Sequence, residues 1–201
     1  MAIPSAGQTS VTEEAILAAA LQAFSERGFH GASIRLIAGR AGTSLANVYN
    51  YVQSKDELLV SVLRRASQQQ LTAVQAAVSA AGDTATSRLS SAIEAYARYV
   101  LEHRDELVVS NTEFRYLSDG YRAEVVETRD ALQTVVDDIV EAGVRSGEFA
   151  TPYPMDASRS LLTMASNITV WFRPGGALSA TEVARRHAYF ALALVEARQL
   201  R

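Results

Sequence analysis

Apolar side chains recur at helical spacing along most of this chain. Ile34, Ile37, Ala38 and Ala41 fall at i, i+3, i+4 and i+7, which lays one buried stripe on a short helix. Gly42 then supplies a stop that tolerates left-handed backbone, and Thr43-Ser44 offers a hydroxyl cap for a further helix from Leu45 to Tyr51. Only Val48, helped by Leu45 and Val52, is plainly apolar there, so Ser44, Asn47, Tyr49, Asn50 and Tyr51 are left to face outward. A helix this short cannot stand alone. The pattern predicts that its neighbours carry it and that its polar face is free for a partner.

The same reading predicts a first helix from about Thr12 to Arg27, with Glu13 and Glu14 in the turn where the helix dipole favours acids. Ser54, three residues before Glu57, makes a capping box for a fourth helix, whose stripe of Leu58, Val62, Ala66, Ala73 and Ala77 runs to about Ala80. The turn cluster AGDTATS breaks the pattern. Helices then follow to about His103, from about Arg104 to Leu117, and, after Ser118-Asp119-Gly120, along Val125, Val126, Leu132, Val136, Ile139 and Gly143 to Ser146-Gly147. Pro152 and Pro154 make an irregular linker. Two helices remain, Asp156 to about Phe172 and Ala180 to about Gln199, and the second is apolar on most of its circumference. No strand alternation of convincing length occurs. The predicted fold class is all-α with about nine helices: an arm and a three-helix helix-turn-helix unit over residues 1–56, then a helical body over 57–201.

Charge sharpens this division. The net charge is −3, which at first argues against nucleic acid, but residues 27–65 carry Arg27, Arg35, Arg40, Lys55, Arg64 and Arg65 against only Asp56 and Glu57. A basic head on an acidic body is what a protein needs when only the head meets phosphate. With no cysteine, thiolate zinc sites and cysteine nucleophiles are excluded, and His30, His103 and His187 form no ligand-spaced cluster. The scattered acids and bases, and the lack of a Gly-rich phosphate loop or nucleophile elbow, argue against an enzyme and for no cofactor. The first ten residues lack signal-peptide character, and no apolar run approaches about 18 residues. A mobile arm, a cytoplasmic location and no membrane partner are therefore expected.

The run from Val11 to Val62 resembles the DNA-binding domain of the tetracycline-repressor (TetR) family of bacterial transcription regulators. The resemblance rests on Ala20, Phe24, Gly28 and Phe29, the cap Ser33, the set Ile37, Ala38, Ala41 and Gly42, then Ser44, the VYNY of Val48 to Tyr51, and the SKDEL of Ser54 to Leu58. Thr43 and Val52 depart from the family's usual valine and phenylalanine but keep medium-sized positions. The resemblance implies a ligand-responsive regulator, a repressor released from palindromic double-stranded operator DNA by a small hydrophobic effector. It also implies a homodimer through the last two helices. A helical adaptor that binds only protein is the alternative, and it leaves the basic head unexplained.

Such a helix enters the major groove with Thr43, Ser44, Leu45 and Asn47 toward base edges and Asn50 one turn on. Asparagine can pair with adenine, and leucine or threonine methyls can pack on thymine. By the resemblance, Ser33, Tyr49, Tyr51 and Lys55 meet the phosphate backbone, with Arg35 nearby; the alternative for each tyrosine is packing inside the head. In the body, Asn111, Phe114, Arg115 and Tyr116 cluster on one helix, and Met164, Asn167, Ile168 and Trp171 repeat along another. Both sets fit either a core or an effector pocket. The segment from Trp171 to Leu192 is similar to TetR regulators that respond to acyl-coenzyme A. On that likeness Arg115 or Arg173 would meet an anion and Trp171 an acyl or adenine group; an unrelated hydrophobic effector is the alternative.

Overall fold

A computed structural model describes residues 12–198. The expected mobile arm and the last residues, including Gln199, lie outside them. Ten α-helices occur among the described residues: α1 (Glu13–Gly31), α2 (Ile34–Arg40), α3 (Leu45–Tyr49), α4 (Lys55–Ala80), α5 (Ala85–Glu102), α6 (Arg104–Thr112), α7 (Asp119–Ser146), α8 (Pro154–Ser166), α9 (Ile168–Trp171) and α10 (Ala180–Leu194). A 3-10 turn, Phe114–Tyr116, follows α6. Helices α8 and α9 are the one helix expected there, interrupted at Asn167, so the count of about nine stands.

Local chemistry explains most of the boundaries. Gly28, at φ 66°, breaks α1 where the sequence predicted its end, and Gly42, also at φ 66°, turns the chain between α2 and α3. Hydroxyls cap the starts: Ser33 Oγ accepts from Leu36 N, Ser44 Oγ from Asn47 N and Ser54 Oγ from Glu57 N. The Glu57 carboxylate reaches back one residue past the cap of the expected box and accepts from Gln53 N.

Several boundaries differ from expectation: α5 begins at Ala85, inside the turn cluster, and α8 at Pro154, inside the expected linker. Helix α3 stops at Tyr49, so Asn50 and Tyr51 lie in the turn after it. Helix α6 ends at Thr112 because buried Glu113 turns its carboxylate to the backbone N–H of Phe29. Asp119 and Gly120 lie inside the first turn of α7, not in the break before it. Helix α10 ends at Leu194: Glu196 takes left-handed φ 52°, Ala197 N donates to Leu192 O, and Arg198 N donates to Glu148 O.

Two apolar cores result. One joins Ile16, Ala20, Phe24, Ile37 and Val48 to Leu58, Leu59 and Leu63 from the start of α4, and it also takes in Val109, Leu117 and Val125. The other is built by the rest of α4 with α5, α7, α8 and α10. Helix α4 thus serves both cores. Gly143 is obligatory in the second, because the Phe149 ring occupies the space a Cβ would need. No helix among the described residues is long and apolar enough to cross a membrane.

Candidate DNA-reading head and effector cavity

Helix α3 is held by one buried side chain, Val48, and leaves the others outward. Leu45 (38%), Tyr49 (49%) and Tyr51 (41%) are among the large exposed side chains of the protein, so neither tyrosine packs inside the head. Asn47 is pre-oriented: its Nδ2 donates to Thr43 Oγ1 at 2.9 Å, and its Oδ1 accepts from Asn50 Nδ2 at 3.5 Å. Thr43, Asn47 and Asn50 therefore form one polar row beside Leu45. Ser44 and Ser33 spend their hydroxyl acceptors on caps, and Arg35 is exposed.

Lys55 makes contacts inside the head. Its Nζ donates to Phe29 O at 2.8 Å and Ala32 O at 3.1 Å and lies 4.3 Å from the centroid of the Phe29 ring. Two of its three donors thus tie the end of α1 to the start of α4. Arg40 is also turned inward. It pairs with Glu26, and that bond is the main reason the Glu26 carboxyl sits below its ordinary value. The locally basic count therefore overstates the charge free to meet phosphate.

The body holds a cavity of about 410 Å³ between α4, α5, α6, α7 and α8, within the usual range for small-molecule sites. Leu107, Leu132 and Leu162 supply apolar wall; Gln70, Tyr96, Ser110, Asn111, Arg129 and Gln133 are among its polar lining. Arg129 reaches in from α7 and its Nη2 donates to Ser110 O at 2.9 Å and Ser110 Oγ at 2.7 Å. Its guanidinium also lies 4.5 Å from the centroid of the Phe114 ring. Burial lowers the Arg129 pKa, while burial pushes the Tyr96 phenol up to about 12. A larger groove of about 660 Å³ runs along α1 and α4, but Arg65 and Glu14 on its walls pair with each other at 2.6 Å.

Of the predicted pocket residues only Asn111 borders this cavity. Ile168 is fully buried core and Met164 packs against it. Asn167 donates to Thr163 O on an exposed turn, Arg115 lies over the Tyr116 ring outside, and Phe114 underlies Arg129. Trp171 is half exposed and faces His187, with ring centroids 6.1 Å apart. Arg129 escaped the sequence reading although its signal is plain in retrospect: it interrupts the apolar stripe between Val125 and Leu132 at i+4 and i+7. A cation at a core position calls for a partner.

One helix joins the two sites. Ser110 of α6 is gripped by Arg129 at the cavity, and three residues on, Glu113 accepts from Phe29 N at 2.8 Å in the head. Tyr116 then packs on Phe29 and His30.

Two family descriptions match the sequence. Residues 16–62 match the bacterial regulatory proteins of the tetR family, and residues 82–195 match the tetracyclin repressor-like C-terminal domain. The chain belongs to the TetR family. Among curated TetR relatives, the HTH-type transcriptional repressor KstR2 of Mycolicibacterium smegmatis is 29% identical over 192 residues, spanning 93% of this chain and 92% of the relative. Among solved structures, AibR in complex with isovaleryl coenzyme A and operator DNA superposes with a TM-score of 0.80 at 21% identity, over 92% of this chain and 98% of that one. FadR of Bacillus subtilis in complex with stearoyl-CoA gives 0.78 at 18%, over 92% and 100%. In this TetR chain α9 and α10 also carry an apolar face that nothing among the described residues covers: Val170 (72%), Trp171, Tyr189 (55%) and Phe190 are all exposed.

Proposed function

We propose that this protein is a cytoplasmic, non-enzymatic transcriptional repressor that binds a palindromic operator as a homodimer and leaves it when an acyl-coenzyme A occupies the body cavity. The observation that carries this reading is the outward polar row of Thr43, Asn47 and Asn50 on a head joined through α6 to a cavity. Leu45 and Asn47 read bases, with Thr43, Ser44 and Asn50 beside them; Arg35, Tyr49 and Tyr51 meet phosphates. Ser33 and Lys55 serve chiefly to build the head. The acyl-coenzyme A assignment draws on the ligands in the AibR and FadR structures.

The dimer reading draws on the exposed face of α9 and α10, since so contiguous an apolar patch marks a contact surface. Two heads on a two-fold axis impose a palindrome on the DNA. Selection from randomised duplexes should recover inverted repeats. Asn47→Ala should then cost on the order of 1–3 kcal/mol at particular base pairs and little at others, while Phe190→Glu should give a monomer of low operator affinity. Recovery of duplexes without any shared sequence, or a soluble monomer retaining full affinity, would sink the proposal.

A further inference from the structure

Arg129 is a largely buried cation without a counterion. Among the described residues its hydrogen bonds go only to Ser110, through Nη2. Its Nε and Nη1 have no protein acceptor, yet they are not sealed from the cavity. Tyr96, 6% exposed, lines the same cavity from α5, and its hydroxyl makes no hydrogen bond among the described residues. Two donors on facing helices therefore line one cavity without a protein acceptor among the described residues. Water can serve them there, and an anionic acceptor would replace it with a charge-assisted bond.

We infer that the cavity recognises an effector whose inserted end carries a carboxylate, taken by Arg129 and Tyr96 together, so that the effector is an acid-ended acyl thioester in preference to a plain alkyl one. The inference rests on the cavity being the effector site. A carboxylate can take one free guanidinium N–H on one oxygen and the Tyr96 hydroxyl on the other, and it brings less charge against Asp130 on the cavity lining than a doubly charged phosphate would. Leu107, Leu132 and Leu162 leave room for a short methylene chain behind the charged end. Because Arg129 also holds Ser110 on α6, a ligand that draws on its guanidinium pulls at the helix whose Glu113 holds the head.

The test compares adipoyl-coenzyme A, hexanoyl-coenzyme A and free coenzyme A, titrated calorimetrically into the full chain and scored for operator release. Adipoyl-coenzyme A should bind roughly tenfold or more tighter than hexanoyl-coenzyme A. Arg129→Gln should erase that preference, Arg129→Lys should restore part of it, and Tyr96→Phe should reduce it, each with an unchanged far-UV helical signal and a cooperative urea transition as the folding control. Equal or better binding of hexanoyl-coenzyme A, binding of neither thioester, or free coenzyme A binding as tightly as the adipoyl form overturns the inference. Leu162→Trp separates the two levels of argument. If it leaves adipoyl-coenzyme A binding untouched, the cavity is not the effector site; if it blocks binding while Arg129→Gln keeps the full preference, the carboxylate assignment alone fails.

Discussion

The head and the body start their helices by different means. In the head, α1, α2, α3 and α4 each begin with a hydroxyl three residues before the N–H it accepts from, at Thr12, Ser33, Ser44 and Ser54. In the body, α10 keeps such a cap at Ser179, but α6, α7, α8 and α9 have none, and α5 supplements its local Thr84 with a carboxylate from far along the chain, Glu148. Every helix of the head starts from a neighbouring hydroxyl, whereas only two in the body do. A surface that must present fixed side chains to DNA gains from geometry that short-range bonds enforce. A body that must respond to a ligand gains from contacts that a few side chains can rearrange.

The largest effect should come from breaking the body at a tight packing contact. Gly143→Ala places a Cβ in the Phe149 ring, and overpacking of a filled core costs about 3 kcal/mol at the upper end of the usual range. Urea unfolding should show that loss. Operator affinity of the fraction still folded should change little, since the head's own core does not include Phe149. An unchanged urea midpoint would mean that the α7 end relaxes freely and that the body is less tightly specified than its packing suggests.

Lys55 tests the head in the same way, with a smaller expected effect. Lys55→Met keeps the packing on Phe29 but removes two charge-assisted bonds, to Phe29 O and Ala32 O. The expected cost is about 2 kcal/mol, with the log-affinity against log-salt slope unchanged. A slope that flattens by roughly one unit, with stability unaltered, would restore Lys55 to the phosphate-contacting role that the resemblance implied.

The same contrast explains what could be read in advance. Gly28, Gly42, Ser44 and Ser54 act on residues within one turn, so the layout of the head and the outward set on α3 followed from spacing alone. The internal bonds of Lys55 could not be read in advance because its acceptors lie 26 and 23 residues away. In the body the helices were legible but the cavity was not. Met164, Ile168 and Trp171 repeat at helical spacing as pocket residues would, yet they turn to the core or to the open face of α9. Tyr96 and Arg129 meet only when α5 and α7 pack, and periodicity shows which face is apolar without showing what faces it. The arginine in the stripe of α7 was the one local mark of that site.

The smallest effect should come from Glu148, the body's long-distance cap. Its carboxylate accepts from Ala85 N at 3.1 Å, from Thr86 N at 2.9 Å and from Thr86 Oγ1 at 2.8 Å. Partial burial alone would raise its pKa, but the bonds from Thr86, with those from Ala85 and Ser146, outweigh it and hold the group below its ordinary 4.5. A carboxyl depressed in the folded state contributes stability that is fully present above its unfolded value and is lost as pH falls through its folded one. Glu148→Gln should therefore lower the urea midpoint at neutral pH and flatten its decline between about pH 5 and pH 3. Comparison with Thr84→Ala, which removes only the local bond to Ser87 N, isolates the distant contribution: that change should lower the midpoint without altering its pH slope. If both variants shift the midpoint alike at every pH, the Glu148 charge contributes nothing beyond an ordinary cap, and the body starts α5 by the same local means as the head.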